Sequence, residues 1–498
     1  MGFKSALSKP FAKSVAKKLR LEANNAAELQ RDQFLSLVRT AQNTTFGKDH
    51  YFKDIQSPAD FQEAVGVNDY EDLKPYILRA VDGEADMLWP GKPVYFCKTS
   101  GTTSGMKYIP LTKESVPFHI SAARNALLSY IAETGNAQFV DGKMIFLQGS
   151  PKLEDLASGI PFGRLSGIVA HHVPGYLQKN RLPSMATNSI EDWETKLDAI
   201  VDETVNENMT LISGIPSWVQ MYFERLIERT GKTHIKDIFP NFSLFVYGGV
   251  NFEPYSARFV DLVGKQIPAI ETYPASEGFV AYQDTQNEEG LLLNFNAGMW
   301  YEFIPADQYF SDNPQRLTLD EVEVGVNYAL IMNTNAGLWG YSIGDTVRFV
   351  SLDPPRVKVT GRIKHFTSAF GEHVIAEEVE QAMTTACAEM KCSVREFHVA
   401  PEVAPKEGLP YHEWIVEFEQ LPSSMENFAS ILDREMCKQN VYYRDLITGS
   451  VLRTAILSSV QKGSFEEMMR QRGKLGGQNK VPRLGNDRSI ADLVINAR

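Results

Sequence analysis

The run Thr99-Ser100-Gly101-Thr102-Thr103-Ser104-Gly105-Met106-Lys107 sets five hydroxyl residues around two glycines and closes on a lysine. It follows an apolar patch, Val94-Tyr95-Phe96-Cys97, that reads as the end of a strand. Such a loop is suited to phosphate. Glycine lets backbone N–H groups converge on an anion, hydroxyls add neutral donors, and lysine adds a point charge. The spacing excludes a Walker loop, which needs four residues between its glycines followed by Gly-Lys-Ser/Thr. Here three residues separate Gly101 from Gly105, Met106 precedes the lysine and Tyr108 follows it. No Gly-x-Gly-x-x-Gly follows a strand, so a dinucleotide fold has no support.

Two further clusters add chemistry. Tyr273-Pro274-Ala275-Ser276-Glu277-Gly278 offers an aromatic face, a hydroxyl and a carboxylate close together. A ring can cover a purine, a hydroxyl can reach a phosphate oxygen and a carboxylate can hold Mg2+. Tyr341-Ser342-Ile343-Gly344-Asp345 ends on an aspartate after a glycine turn, which suits two ribose hydroxyls. Either cluster alone is weak, since acids beside glycine are usually turn residues. Gly340-Tyr341-Ser342-Ile343-Gly344 also fits Gly-x-Ser-x-Gly literally. A nucleophile elbow needs a helix after its serine, and Thr346–Val350 reads as a strand. A zinc site on Cys387 and Cys392 lacks a second close pair. His171 and His172 remain unassigned.

The elements that must position these residues follow from hydrophobic period. Residues 11–45 read as helical, with an apolar face through Ala26, Leu29, Phe34, Leu37, Val38 and Ala41. Residues 115–134, 190–209 and 218–227 also read as helices, the last after the turn Gly214-Ile215-Pro216-Ser217. Short apolar runs at 144–147, 211–212, 244–247 and 328–332 read as strands. Helices alternating with short buried strands imply an α/β architecture with partly parallel sheets. From about 290 to 360 strands dominate, which suggests a β-rich, barrel-like subdomain. A helix at 375–390, strands near 394–400 and 412–418 and a helix near 425–440 make a small α+β domain. Gly361 and Gly371 bracket a plausible hinge. The expected domains are therefore 1–364 and 365–498.

Composition narrows the class. A chain of 498 residues suggests several subdomains, and 43% hydrophobic with 22% charged content is that of a soluble globular protein. The net charge of −12 argues against nucleic acid as the main partner. Four irregularly spaced cysteines fit reduced thiols, hence a cytoplasmic protein. No apolar run reaches the roughly 20 residues of a membrane span. The lysine-rich start lacks a continuous hydrophobic stretch, so it is read as a solvated helix with one basic face.

Taken together and in this order, the three clusters resemble the acyl-adenylate-forming superfamily. The details are most similar to the auxin-responsive (Gretchen Hagen) family of acyl-acid amido synthetases. The residues that carry this include Thr45-Phe46-Gly47-Lys48, Leu88-Trp89-Pro90, Ile109-Pro110-Leu111-Thr112, Tyr301-Glu302-Phe303-Ile304-Pro305 and Gln478-Asn479-Lys480-Val481-Pro482-Arg483. The resemblance runs from about residue 30 to 485. It implies a two-step reaction with ATP and Mg2+. A carboxylic acid attacks the α-phosphate to give an acyl-adenylate, and an amine, expected to be an amino acid, then takes the acyl group. It implies that Ser100, Gly101, Thr102, Thr103, Ser104 and Lys107 hold the phosphates and that Ser276 touches the α-phosphate. Glu277 would hold the metal, Asp345 and Arg362 the ribose, and Tyr273 with Gly248 and Gly249 the adenine. Lys480 is implied as a mobile catalytic lysine, beside Lys107 and Glu277. Phe162, Leu165 and Trp218 are candidate walls of the acyl pocket. The superfamily's ribose motif usually has arginine after its tyrosine, and Ser342 stands there. Lys364 and Arg348 are the candidate substitutes. The expected state is a monomer with no nucleic-acid or membrane partner. Transfer to a thiol, a serine hydrolase using Ser342 and a non-catalytic nucleotide-binding protein are the rival readings.

Overall fold

The computed structural model describes residues 2–100, 106–173, 178–190, 192–249, 252–363, 374–403, 405, 407–448, 451–475, 480–485 and 487–497. The glycine loop from Gly101 to Gly105, the hinge segment including Lys364 and Gly371, and Gly476–Asn479 lie outside the described residues.

The N-terminal helix is two helices, Phe3–Ala23 and Ala26–Ala41. The single helix expected over 11–45 is broken because Asn24-Asn25 interrupts it. The Asn25 side-chain amide donates to the Leu21 carbonyl at 3.2 Å, and such local bonding competes with helix continuation. The second helix buries Ala26, Gln30, Phe34, Leu37, Val38 and Ala41, the face that the apolar period marks, with Leu29 half-buried. Its one buried amide, Gln30, donates to the carbonyls of Phe295 and Met299 and accepts from the Tyr301 N–H.

Behind it lies an eleven-stranded mixed sheet. Its spatial order is Met299–Pro305, Asn327–Thr334, Tyr341–Leu352, Pro355–Arg362, Leu291–Leu293, Phe279–Tyr282, Ala269–Pro274, Leu244–Gly248, Met209–Ser213, Lys143–Phe146 and Arg181–Leu182. The last five run parallel. The pairings resolved across the rest are antiparallel. Ala269–Pro274 is the switch, parallel to one neighbour and antiparallel to the other. The β-rich stretch expected from 290 to 360 thus forms the antiparallel half of the same sheet. A second, four-stranded sheet holds Tyr95–Ser100 between Met106–Leu111 and Pro161–Gly163.

The chain divides into two compact units. The first is Met1–Ile215, Arg225–Gly249 and Ile267–Lys358; the second is Pro216–Glu224, Val250–Gln266 and Val359–Arg498. In the second unit, strands Ser393–Glu402, Tyr411–Gln420 and Ile456–Val460 form a three-stranded sheet. Alternate residues face opposite ways. Trp414 and Val416 pack with helices Ala376–Met390 and Met425–Gln439, while Ile415 packs with Ser464–Gln471 and Ser489–Asn496. No helix among the described residues is long and apolar enough to cross a membrane.

Candidate functional site

Parallel strands bring their carboxyl ends to one edge, and open α/β sheets bind ligands outside that edge. Here the edge carries Leu147-Gln148-Gly149, Gly214, Gly248-Gly249 and the turn after Pro274. At Gly248 a Cβ would stand 2.5 Å from the Thr272 carbonyl oxygen, so only glycine fits against the next strand. Gly249 follows with φ +81°. The strand end is therefore bare backbone, a surface on which a flat base can lie.

The next strand ends in a tight hairpin. The Ala275 N–H donates to the Gly278 carbonyl at 3.0 Å, which leaves Ser276 and Glu277 at the tip. A Cβ at Gly278 would stand 2.2 Å from Met299 Sδ, so this turn too is packed to the backbone. The Ser276 hydroxyl hydrogen-bonds Cys97, and the Glu277 carboxylate acts on the same thiol. Burial pushes the Cys97 thiol up; the Glu277 charge adds to that and the Ser276 bond opposes it. Cys97 is two residues before Thr99. Ser276 and Glu277 thus stand at the foot of the glycine loop.

The loop itself lies outside the described residues, but both of its legs are described. Thr99 faces Lys107 and Ser100 faces Met106 across an antiparallel ladder. Lys107 Nζ is 5.2 Å from the centre of the Tyr70 ring, and the Tyr70 hydroxyl accepts from the Tyr108 N–H at 3.0 Å. The ring gives the ammonium a face to rest on and fixes where its stem leaves the strand.

Asp345 arrives from the antiparallel half. Ala329 faces Thr346 while Ile331 faces Ser342, so Leu330 opposes three residues, Ile343, Gly344 and Asp345. Such a bulge re-aims a side chain out of the ladder, and Gly344 takes φ +81° within it. Tyr273 Oη donates to Asp345 Oδ2 at 2.6 Å. The aromatic cluster and the proposed ribose acid are therefore in direct contact, although 72 residues separate them.

A buried polar network fixes the start of the bulged strand. The Gly340 N–H donates to Asn333 Oδ1 at 2.6 Å, and Asn333 Nδ2 donates to Glu302 Oε2 at 2.9 Å. Glu302 pairs with Arg316 at 2.6 Å, their side chains 0% and 6% exposed. Asn68 donates to the Gly340 carbonyl at 2.8 Å and accepts from the Ser342 N–H at 2.9 Å. Ser342 sits inside Tyr341–Leu352, with strand on its far side. Its Oγ accepts from Tyr309 Oη at 2.9 Å. That context lacks the helix of a nucleophile elbow, and the hydrolase reading falls with it. Arg348 acts on Glu289, which pairs with Lys358 at 2.9 Å. Lys364 lies outside the described residues.

Among the candidate acyl walls, Phe162 is buried beside Phe96, with Lys98 Nζ 5.4 Å from its ring centre. Leu165 opens the short helix Leu165–His171 and is half-buried. Trp218 is buried on helix Pro216–Thr230, in the second unit. Arg362 ends strand Pro355–Arg362, also in the second unit and next to Gly361, whose φ is +149°. Lys480 is exposed and directly precedes an anchored segment. There the Val399 N–H donates to the Arg483 carbonyl at 2.9 Å, and the buried Arg483 guanidinium pairs with Glu396 and rests on the Phe397 ring.

No group of three or more His, Cys, Asp or Glu able to hold a metal occurs among the described residues. Mg2+ beside a nucleotide takes one or two carboxylates, and phosphate oxygens with water complete its shell. Glu277, at the foot of the loop, has the right chemistry for that part.

Sequence reading missed three features of the site. The Tyr273–Asp345 bond and the Cys97 contacts join distant segments, so no local signal announces them. A cationic cluster of Arg164, Arg181 and Lys196 went unremarked, although Arg164 lies inside the expected acyl wall.

Comparison with known proteins gives the same outline. Residues 15–188 match the GH3 family N-terminal domain, 292–362 the GH3 family central domain and 377–489 the GH3 family C-terminal domain. The chain is 22% identical to jasmonoyl–L-amino acid synthetase JAR6 of Nicotiana attenuata, over 86% of this chain and 85% of that protein. It is 22% identical to jasmonoyl–L-amino acid synthetase GH3.5 of Oryza sativa subsp. japonica, over 95% of each. Among solved structures, GH3.15 acyl acid amido synthetase superposes with a TM-score of 0.80 at 15% identity, over 97% of this chain and 96% of that one. A 2-hydroxyisobutyryl-CoA ligase superposes with a TM-score of 0.56 at 13% identity, over 97% and 90%.

Proposed function

The chain belongs to the GH3 family, and from that membership we propose that it joins a carboxylic acid to an amine, expected to be an amino acid, by way of an acyl-adenylate. ATP, bound with Mg2+, and the acid are consumed in the first half-reaction, which releases pyrophosphate, and AMP leaves with the amide in the second. The observation that carries the proposal is the convergence of Tyr273, Asp345, Ser276 and Glu277 beside the legs of the glycine loop.

The chemistry follows from the charges. An acid anion must approach a polyanion, so positive charge and oriented dipoles must offset their repulsion, most of all where charge develops. Lys107 would supply a fixed positive point charge at the exit of the loop, with Ser100, Gly101, Thr102, Thr103 and Ser104 as neutral donors. Glu277 would hold Mg2+, which supplies charge neutralisation on the phosphates. Ser276 would donate to an α-phosphate oxygen. Asp345, oriented by the Tyr273 hydroxyl, would accept from the ribose hydroxyls, because a carboxylate takes several hydrogen bonds. The Tyr273 ring, held by that bond, would flank adenine against Gly248 and Gly249. Arg362 would complete the ribose contacts. Lys480, with residues 365–498 as the domain that carries it, would add the second catalytic cation. Phe162, Leu165 and Trp218 would line the acyl pocket. We further propose a cytoplasmic monomer.

The test is the mass of the product. Purified protein given Mg2+, ATP, a panel of carboxylic acids and a mixture of amino acids should yield an amide and AMP. A thioester formed with coenzyme A, and no amide, would move the acceptor from amine to thiol.

A further inference from the structure

Gln148-Gly149 at the end of strand Lys143–Phe146 is ringed by cations. Lys196 Nζ donates to the Gln148 carbonyl at 2.9 Å and to the Asn188 carbonyl at 2.8 Å, and its side chain is 3% exposed. Arg181 Nη2 donates to Gln148 Oε1 at 2.8 Å, its guanidinium 4.9 Å from the Phe146 ring centre. Arg164 crosses Gly149 so closely that a Cβ there would stand 2.6 Å from its Cδ. None of the three has an acidic partner among the described residues.

Burying cations with no counter-charge among the described residues is unfavourable, so stability alone does not account for this cluster. Its effect on the groups is visible. Burial holds the Lys196 ammonium down to about 8, with the Arg164 charge acting in the same direction, and burial holds Arg181 down to about 10. Two neutral donors beside the cluster, Gln148 Nε2 and Ser166 Oγ, are buried without a hydrogen-bond partner. A buried donor without a partner carries a desolvation penalty that a ligand can relieve. Asn188 Oδ1, an acceptor, is also buried without a partner, but the charged groups of the cluster are all cationic donors, and a carboxylate is acceptor-only. The cluster shares the carboxyl edge with Gly248 and the Ser276-Glu277 turn, and Arg164 directly follows Gly163, which pairs with Cys97.

We infer that Arg164, Arg181 and Lys196 form a receptor for a substrate carboxylate other than the one being activated. It belongs either to a dicarboxylic donor or to the amino-acid acceptor. The inference rests on the amide-ligase reading, and the two half-reactions separate the sources. Pyrophosphate exchange into ATP senses the donor alone; amide formation senses both.

The experiment compares dicarboxylic with monocarboxylic donors of equal length in exchange, and alanine with alaninamide as acceptors in amide formation. In one of the pairs the carboxylate-bearing member should have a KM at least tenfold lower. Arg164→Gln should raise that KM tenfold more than the KM of the uncharged counterpart, and Arg164→Lys should recover part of it. A preference in exchange assigns the site to the donor, and one confined to amide formation assigns it to the acceptor. No preference in either pair, or a full preference retained in Arg164→Gln, overturns the inference. Melting temperatures in glutarate separate this from failure of the amide-ligase reading. A rise in the wild type that is lost in Arg164→Gln, with no exchange for any acid, leaves the receptor standing and removes the reaction.

Discussion

Replacing Tyr273 with phenylalanine removes one oxygen from a buried ring and, with it, the 2.6 Å donation to Asp345 Oδ2. The ring stays, so packing is nearly unchanged. A hydrogen bond to a charged group contributes about 1.5–3 kcal/mol. Asp345 is half-buried, so water can replace part of the lost bond, and about 1–2 kcal/mol is the fitting range. At about 1.4 kcal/mol per tenfold, that is roughly a five- to thirtyfold loss in kcat/KM for ATP. The loss should appear in ATP titrations of pyrophosphate exchange at saturating acid, where Asp345 no longer meets the ribose in one fixed orientation. Melting temperature and near-ultraviolet circular dichroism verify that the variant is folded. A folded variant whose kcat/KM for ATP stays within twofold of wild type would refute the reasoning, because the Tyr273–Asp345 pair would then be packing and not a nucleotide contact.

Glu302→Gln leaves Arg316 buried without its partner charge; losing one member of such a pair costs about 3–5 kcal/mol, so thermal denaturation should begin several degrees lower. His119 sits on helix Val116–Thr134 with its Nδ1 unpartnered, and burial holds it down to about 4. Its folded value is below its unfolded 6.5, so its contribution is present above pH 6.5 and is lost as pH falls toward 4, amounting to about 3 kcal/mol at about 1.4 per unit. Denaturant titrations at pH 7 and pH 4.5 should show a smaller acid loss in His119→Leu than in wild type. The ammonium of Lys196, held down to about 8, is neutral above that pH, so stabilisation by added glutarate should fade between pH 7 and pH 9, read as a shrinking rise in melting temperature.

Much of the architecture was legible because its signals are local. The helix expected at 115–134 is Val116–Thr134, and the strand expected at 244–247 is Leu244–Gly248, because period and length suffice for such elements. Strand Ile456–Val460 and the helices Ser464–Gln471 and Ser489–Asn496 were not read, being too short for period to emerge from their mixed composition. The continuity of the eleven-stranded sheet was not legible either. It depends on pairings such as Leu291 with Val357, between residues far apart in sequence. The site divides in the same way. Glycines, hydroxyls and acids mark Ser276, Glu277 and Asp345, but the bulge at Ile343–Asp345 and the bond to Tyr273 exist only once the strands are in register. Arg164, Arg181 and Lys196 look like ordinary surface cations until the fold brings them around Gln148.

Acid-dependent exchange of pyrophosphate into ATP is the most direct measure of the central claim, that the Ser276-Glu277 turn and Lys107 serve adenylation at the glycine loop. Wild-type protein with Mg2+ should exchange with at least one aryl or alkyl carboxylic acid, and Glu277→Ala and Lys107→Ala should each abolish that exchange. Exchange at the wild-type rate in both variants, or none across a broad panel of acids, would contradict it.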